Sequence, residues 1–155
     1  MNIGIILWSK TGNTHSVAGK IKEKLEAAGH LVSIERLKTV GEFKPGQKDV
    51  QFETLPDVGT YDGLVFGAPV HAFALAQPMK NYLEQLPSLT GKKIALFTTK
   101  QLRFNWTGGT QAISKMKRIC KSKEGEICGS GIVVWSSADR EQIINDVADK
   151  ISKFF

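Results

Sequence analysis

The densest chemistry in the chain lies in Ser9-Lys10-Thr11-Gly12-Asn13-Thr14, where three hydroxyls, an amide, an ammonium and a glycine fall in six positions. They follow an apolar run, Ile3-Gly4-Ile5-Ile6-Leu7-Trp8, and precede an amphipathic stretch that begins near Asn13. A buried strand that opens through a hydroxyl-rich turn into a helix start is the setting of an anion site. Amide groups without intrahelical partners point outward there, and the helix dipole adds partial positive charge. The expected ligand group is a phosphate. A nucleotide P-loop is excluded, because its nearest approach, Gly19-Lys20, is followed by Ile21 and falls inside the helix. The dinucleotide fingerprint G-x-G-x-x-G is absent after the first strand, and no acidic residue ends the second strand to meet a ribose. What remains suits a terminal monophosphate held by hydroxyls and backbone N–H.

Positioning that loop falls to the elements around it. Val17, Ile21 and Leu25 recur every four residues, with Ala18 and Ala28 beside them and Lys20, Lys22, Glu23, Lys24 and Glu26 opposite. This is an amphipathic helix capped at Gly29. Leu31 to Leu37 alternates as a second strand, so the unit is β-α-β with a parallel crossover. Residues 38–60, punctuated by Gly41, Pro45, Gly46, Pro56 and Gly59, are expected to be mostly loop. Only Val50-Gln51-Phe52 looks strand-like there.

Leu64 to Ala68 predicts a third strand that ends at Pro69, followed by an unusually apolar loop from Val70 to Ala76. Pro78 opens a helix with Met79, Tyr82, Leu83 and Leu86 on one face, and Pro87 stops it. Lys93 to Thr99 is the fourth strand, and Lys100 to Gly109 a long polar-aromatic loop. Ala112, Ile113, Met116 and Ile119 mark a helix, Ile127 to Trp135 the fifth strand, and Ile143, Ile144, Val147, Ile151 and Phe154 the closing helix. Five strands alternate with four helices, the second and third strands being joined by loop. The fold class is therefore α/β, a doubly wound three-layer sandwich around one parallel five-stranded sheet.

Ligands of open α/β sheets bind beyond the C-terminal strand ends, where the strand order reverses. For the order 2-1-3-4-5 that point lies between strands one and three, beside loops 9–14, 68–73 and 99–109. The first offers hydroxyls and amides, the second is apolar with one imidazole, and the third is aromatic and glycine-rich. One ligand with a phosphate end and a flat ring end would use all three.

Composition narrows the class. The 155 residues are 41% hydrophobic and 23% charged, ordinary for a soluble globular protein. No apolar run approaches the roughly 20 residues of a membrane helix. With no basic leader and two cysteines, the expected home is the cytoplasm. Lysine and arginine outnumber aspartate and glutamate by 21 to 15, a net charge of +6 and a pI near 9.4. Only Lys115-Lys117-Arg118-Lys121-Lys123 clusters; the rest scatter over solvated faces, which disfavours nucleic acid as the partner. Cys120 and Cys128 lack C-x-x-C spacing and read as buried small apolar residues rather than a redox pair. No serine or cysteine nucleophile stands with a base, and no metal-ligand pattern is present.

Residues 5–21, IILWSKTGNTHSVAGKI, resemble the FMN-binding signature of the flavodoxin family: two aliphatics and an aromatic, then S/T-x-x-G-x-T, then an alanine and an aliphatic on the helix. Ser9, Gly12, Thr14, Ala18 and Ile21 match, while Leu7 stands where the family usually has Tyr or Phe. The order 2-1-3-4-5 is the family's own, so the loop placement above is not independent of the resemblance. The likeness runs, more loosely, over the whole chain and implies one short-chain flavodoxin-like domain over 1–155. It implies FMN as cofactor, with Ser9, Lys10, Thr11, Gly12, Asn13 and Thr14 at the phosphate; Lys10 adds a charge the family often lacks, directed to the ligand or to solvent. Pro69, Val70, His71, Ala72 and Phe73 match the first flavin loop. Thr98, Thr99, Lys100 and Gln101, with Phe104, Trp106, Gly108 and Gly109, match the second. This chain lacks the family's frequent tryptophan in the first loop and tyrosine in an acidic second loop. Ring stacking would fall to His71 or Phe73 on one side and Trp106 or Phe104 on the other. Phe73 and Phe104 would otherwise plug the apolar floor, and His71 would otherwise satisfy a backbone carbonyl.

The resemblance implies an FMN-binding electron-transfer protein that serves a redox partner protein or an NAD(P)H-linked reductase. Net charge +6, where typical flavodoxins are acidic, suggests a partner with an acidic docking face. Lys100 and Arg103 in the second ring loop suit two-electron chemistry, which keeps an FMN-dependent NAD(P)H oxidoreductase or quinone reductase as the alternative. Lys100, Arg103 or His71 would then meet a nucleotide phosphate or substrate oxygen. A cofactor-free binding module using the basic helix around Lys115 to Lys123 is the remote third reading.

Overall fold

The structure, a computed structural model, describes residues 1–155 apart from Pro45, Arg103, Asn105 and Trp106. Its sheet is built outward from β1 (Asn2–Leu7), whose side chains alternate between two apolar layers: Ile3, Ile5 and Leu7 enter one, Ile6 the other. Period-two alternation with apolar residues on both faces is the pattern of a strand covered on both sides. α1 (Asn13–Ala27) lays Val17, Ala18, Ile21 and Leu25 on the first layer, and β2 (Leu31–Arg36) pairs parallel to β1 from Asn2↔Leu31 to Leu7↔Arg36.

The chain then leaves the main sheet. β3 (Lys38–Thr39) and β4 (Phe52–Thr54) form a small antiparallel pair, and among the described residues this crossover carries no helix, as the sequence predicts. Phe43 and Val58 tack it to the core. β5 (Gly63–His71) returns on the other side of β1, in parallel register from Ile3↔Gly63 to Leu7↔Gly67.

β5 corrects one expectation. It does not end at Pro69 but runs on to His71, because the strand on its other side continues the ladder through Ala68↔Thr98 and Pro69↔Thr99. On the β1 side the ladder stops at Trp8 N–H to the Gly67 carbonyl, 3.2 Å, where the next rung would need the N–H that Pro69 lacks. β6 (Ala74–Leu75) folds back antiparallel onto this edge, Val70↔Leu75 and His71↔Ala74. The expected apolar loop is thus a hairpin, and β6 is a sixth strand.

α2 (Gln77–Gln85), β7 (Lys93–Lys100), α3 (Gly109–Ser122), β8 (Glu126–Val134) and α4 (Arg140–Ser152) complete the chain. The order β2-β1-β5-β7-β8, parallel throughout, is the expected 2-1-3-4-5 with β6 added at β5. α1 and α4 cover one face with Ile144, Val147 and Ile151; α2 and α3 cover the other with Met79, Leu83 and Met116. Cys120 lies fully buried in α3, its thiol pushed up to about 12 by burial. Cys128, expected buried, is only half-buried on β8. Among the described residues no helix is long and apolar enough to cross a membrane.

Candidate functional site

β1, β5 and β7 end at the same side of the sheet, and that is where the polar loops gather. Gly12, at φ 94, turns the chain into α1; an L side chain there would pay the left-handed penalty of about 1–2 kcal/mol. The Gly12 amide donates to Ser9 Oγ at 3.1 Å, which closes the loop on itself. The first intrahelical bond is Ser16 N–H to the Gly12 carbonyl, 3.0 Å. No side chain caps the start of α1 and no acidic residue lies in its first turn. The amides of Asn13, Thr14 and His15 therefore precede the ladder, aimed at whatever anion sits before them.

Thr14 and Thr99 are both almost fully buried and share a hydrogen bond of 2.9 Å between their hydroxyls. That bond fixes the first turn of α1 against the end of β7. One hollow of about 150 Å³ opens beside it, lined by Lys10, Thr11, Asn13, Thr14, Pro69, Val70, His71, Thr99, Lys100, Gln101 and Trp135. A second, of about 240 Å³, continues past Val70, Lys100 and Gln101 toward Ala72, Phe73, Leu102 and Thr107. Only the two together approach the several hundred Å³ of a small-molecule site.

The ring-end loops differ from one another in character. His71 closes β5 with its imidazole edge-on to Trp8, ring centroids 5.2 Å apart, and stacked on Phe43 at 6.3 Å. Burial, and then the charge of Lys10, hold its pKa below the ordinary histidine value, so it is a neutral imidazole at pH 7. Among the described residues its buried Nδ1 has no hydrogen-bond partner. The next two residues turn the hairpin with Ala72 at φ 48 and Phe73 at φ 63, conformations that glycine or asparagine usually fill. Phe73 and Phe104 are both about half exposed, 53% and 54%, so neither plugs the apolar floor.

Gly108 explains how α3 comes so near. At φ 103 it lies against the Phe73 backbone, where an added Cβ would stand 2.5 Å from the Phe73 carbonyl carbon. Gly108 and Gly109 thus pack the start of α3 behind the hairpin rather than lining the hollows. Thr98 is not on the cleft wall either: fully buried, it donates to the Ala68 carbonyl at 2.7 Å and ties β7 to β5. Ser9 faces a neighbouring groove with Trp8, Arg36, Lys38 and Phe43. Lys100, expected in a loop, closes β7 as a buried residue whose Nζ donates to the Phe104 carbonyl at 2.9 Å and to Thr107 Oγ1 at 3.3 Å. Trp106 and Arg103 lie outside the described residues.

Trp135 was not anticipated. It follows β8 at the same end of the sheet, lines the first hollow, and carries the Arg140 guanidinium 4.6 Å over its ring. Its place at the C-terminal end of the fifth strand was a signal that sequence reasoning passed over. The basic helix around Lys115 to Lys123 is α3, whose Ala112, Met116 and Cys120 face the core and leave the cations on an ordinary outer face.

The donor set fits a cofactor with a phosphate end and a ring end. Uncapped amides and hydroxyls supply the first, while the His71 imidazole and an apolar hairpin border the hollows that would take the second. Comparison with known proteins agrees. A family model described as Flavodoxin domain matches residues 4–124. The flavodoxin of Megasphaera elsdenii is 26% identical over 138 residues, 84% of this chain and 85% of that protein. Among solved structures, a flavodoxin from Streptococcus pneumoniae superposes with TM-score 0.72 at 18% identity, covering 99% of this chain and 96% of its own. Oxidised Flavodoxin 2 from Bacillus cereus gives TM-score 0.72 at 20% identity, with 100% of both chains covered.

Proposed function

Because the chain belongs to the flavodoxin family, we propose that it binds FMN in this cleft and carries electrons between redox partners, with residues 1–155 acting as one unit. The carrying observation is the uncapped start of α1 with Thr14 locked to Thr99 beside it. FMN supplies the one- and two-electron chemistry; the chain supplies binding, orientation, access and potential. Thr11, Asn13 and Thr14 would hold the phosphate through hydroxyls and backbone N–H, with Lys10 at the rim. Val70, His71, Ala72, Phe73 and Gln101 would border the ring, and the neutral imidazole of His71 can donate to it or accept from it without bringing a charge.

Lys10, Arg36 and Lys38 line the groove beside the cleft, and among the described residues none of them forms an ion pair. Unpaired cations at the rim support docking by a partner with an acidic face. The same cations, together with buried Lys100, favour one second reading, an FMN-dependent NAD(P)H oxidoreductase.

Purified protein mixed with FMN should quench flavin fluorescence at a one-to-one ratio. Anaerobic mixing of the loaded protein with NADPH then separates the two readings: reduction only through an added reductase identifies the carrier, and direct bleaching at catalytic rates identifies the enzyme. Protein that takes up no FMN would overturn both and leave the cofactor-free module.

A further inference from the structure

Among the described residues, Lys100 is a buried lysine with no acid beside it. Only 8% of it is exposed, and the two oxygens that its ammonium reaches among the described residues, the Phe104 carbonyl and the Thr107 hydroxyl, are neutral. Among the described residues no carboxylate lies within ion-pair distance of it; the pairs that do form join surface residues elsewhere. Withdrawing an ammonium from water is costly unless an opposite charge compensates, and two neutral acceptors compensate only in part.

The side chain is also held in place. Its stem runs against the first turn of α3, where a Cβ on Gly109 would lie 3.2 Å from Lys100 Cδ. Among the described residues that helix start has no side-chain cap, and its first turn holds no acidic residue, so its dipole adds to the same positive potential. Lys100 lines both hollows of the cleft. A fixed cation with no carboxylate beside it among the described residues is arranged for a ligand that is, or becomes, negatively charged.

The FMN phosphate has its own site at α1, so the charge that remains to be answered belongs to the ring. A flavin ring that takes two electrons from a reductant and one proton from water gains one negative charge. We propose that Lys100 makes this cleft bind reduced FMN in preference to oxidised FMN, and so raises the potential of the bound flavin. This rests on the FMN reading above and adds a role for one residue within it.

The test compares wild type with Lys100→Gln and Lys100→Arg in anaerobic dithionite titrations. The potential of bound FMN relative to free FMN gives the ratio of the dissociation constants for its oxidised and reduced forms. Lys100→Gln should lose about tenfold in that ratio, a fall of about 30 mV for a two-electron couple. Lys100→Arg, which keeps the charge, should stay within about threefold of wild type. An unchanged ratio in Lys100→Gln, equal weakening of both forms, or an equal loss in Lys100→Arg would overturn the proposal. Should Lys100→Gln fail to fold, the wild-type potential decides. Between pH 7 and 8.5, where His71 stays neutral, it should fall by about 30 mV per pH unit, one proton per two electrons. A slope twice as steep means a neutral reduced ring and sinks the idea. Wild type that takes up no FMN defeats the parent reading; uptake with an unchanged ratio defeats this inference alone.

Discussion

At the scale of single residues, the Thr14–Thr99 bond carries both structure and site, because the same hydroxyl that locks α1 to β7 borders the cleft. Replacing Thr14 by Val leaves the buried Thr99 hydroxyl without its partner, a cost of about 1–3 kcal/mol, which a domain of this size survives. Thr11→Val and Thr14→Val together remove two hydroxyls that would meet phosphate oxygens. Bonds to charged groups are worth about 1.5–3 kcal/mol each. The double variant should remain folded by circular dichroism yet bind FMN at least a hundredfold more weakly in a fluorescence titration. His71 gives a pH signature. Its pKa is depressed in the fold, chiefly by burial, so the unfolded chain takes up a proton at a higher pH than the folded one. The stability contributed by neutral His71 is present above about pH 6.5 and is lost as pH falls through the folded value. Urea midpoints measured between pH 7.5 and 5 should drop for wild type, and the drop should shrink in His71→Gln.

At the scale of elements, the β5–β6 hairpin is the part of the site with stored strain. Ala72 and Phe73 both take left-handed φ in a two-residue turn, where Asn-Gly is the favoured pair. Ala72→Asn with Phe73→Gly should raise stability by about 1 kcal/mol in urea unfolding. FMN affinity should fall at the same time, since strain kept at a ligand loop is usually kept for contact. This hairpin also shows where reading the sequence stopped. The strands and helices of the main sheet were legible because each has a clear period and a clear stop, such as Val17, Ile21 and Leu25 ahead of Gly29. The extension of β5 was not, because a proline ordinarily ends a strand and only the pairing with β7 on the other side carries this one past it. β6 has two residues, too few for any period. Around the cleft, the hydroxyl loop was legible from residue types alone. That Thr98 turns away while Trp135 turns in depends on which strand face each side chain occupies at the sheet's end, which no local pattern fixes.

At the scale of the whole molecule, a net charge of +6 should govern how partners arrive. If the partner's face is acidic, electron-transfer rates in stopped-flow mixing should fall as salt rises from about 10 mM to 150 mM, where the screening length shortens from about 30 Å to 8 Å. A rise with salt would mean a basic partner instead. A different consequence follows from the register of β1 with β5. Ile3 meets Gly63 across about sixty residues of chain, and the central pair of the sheet cannot form until that span has closed. Folding speed, rather than the finished structure, is where this falls hardest, since closure entropy must be met before the contact repays it. The long stretch between β3 and β4 lies inside that span and outside the main sheet. Lengthening it by a flexible insert that doubled the loop should cost only about 0.6 kcal/mol. If the central pair forms at the barrier, nearly all of that cost will appear in the refolding arm of a chevron plot and almost none in the unfolding arm.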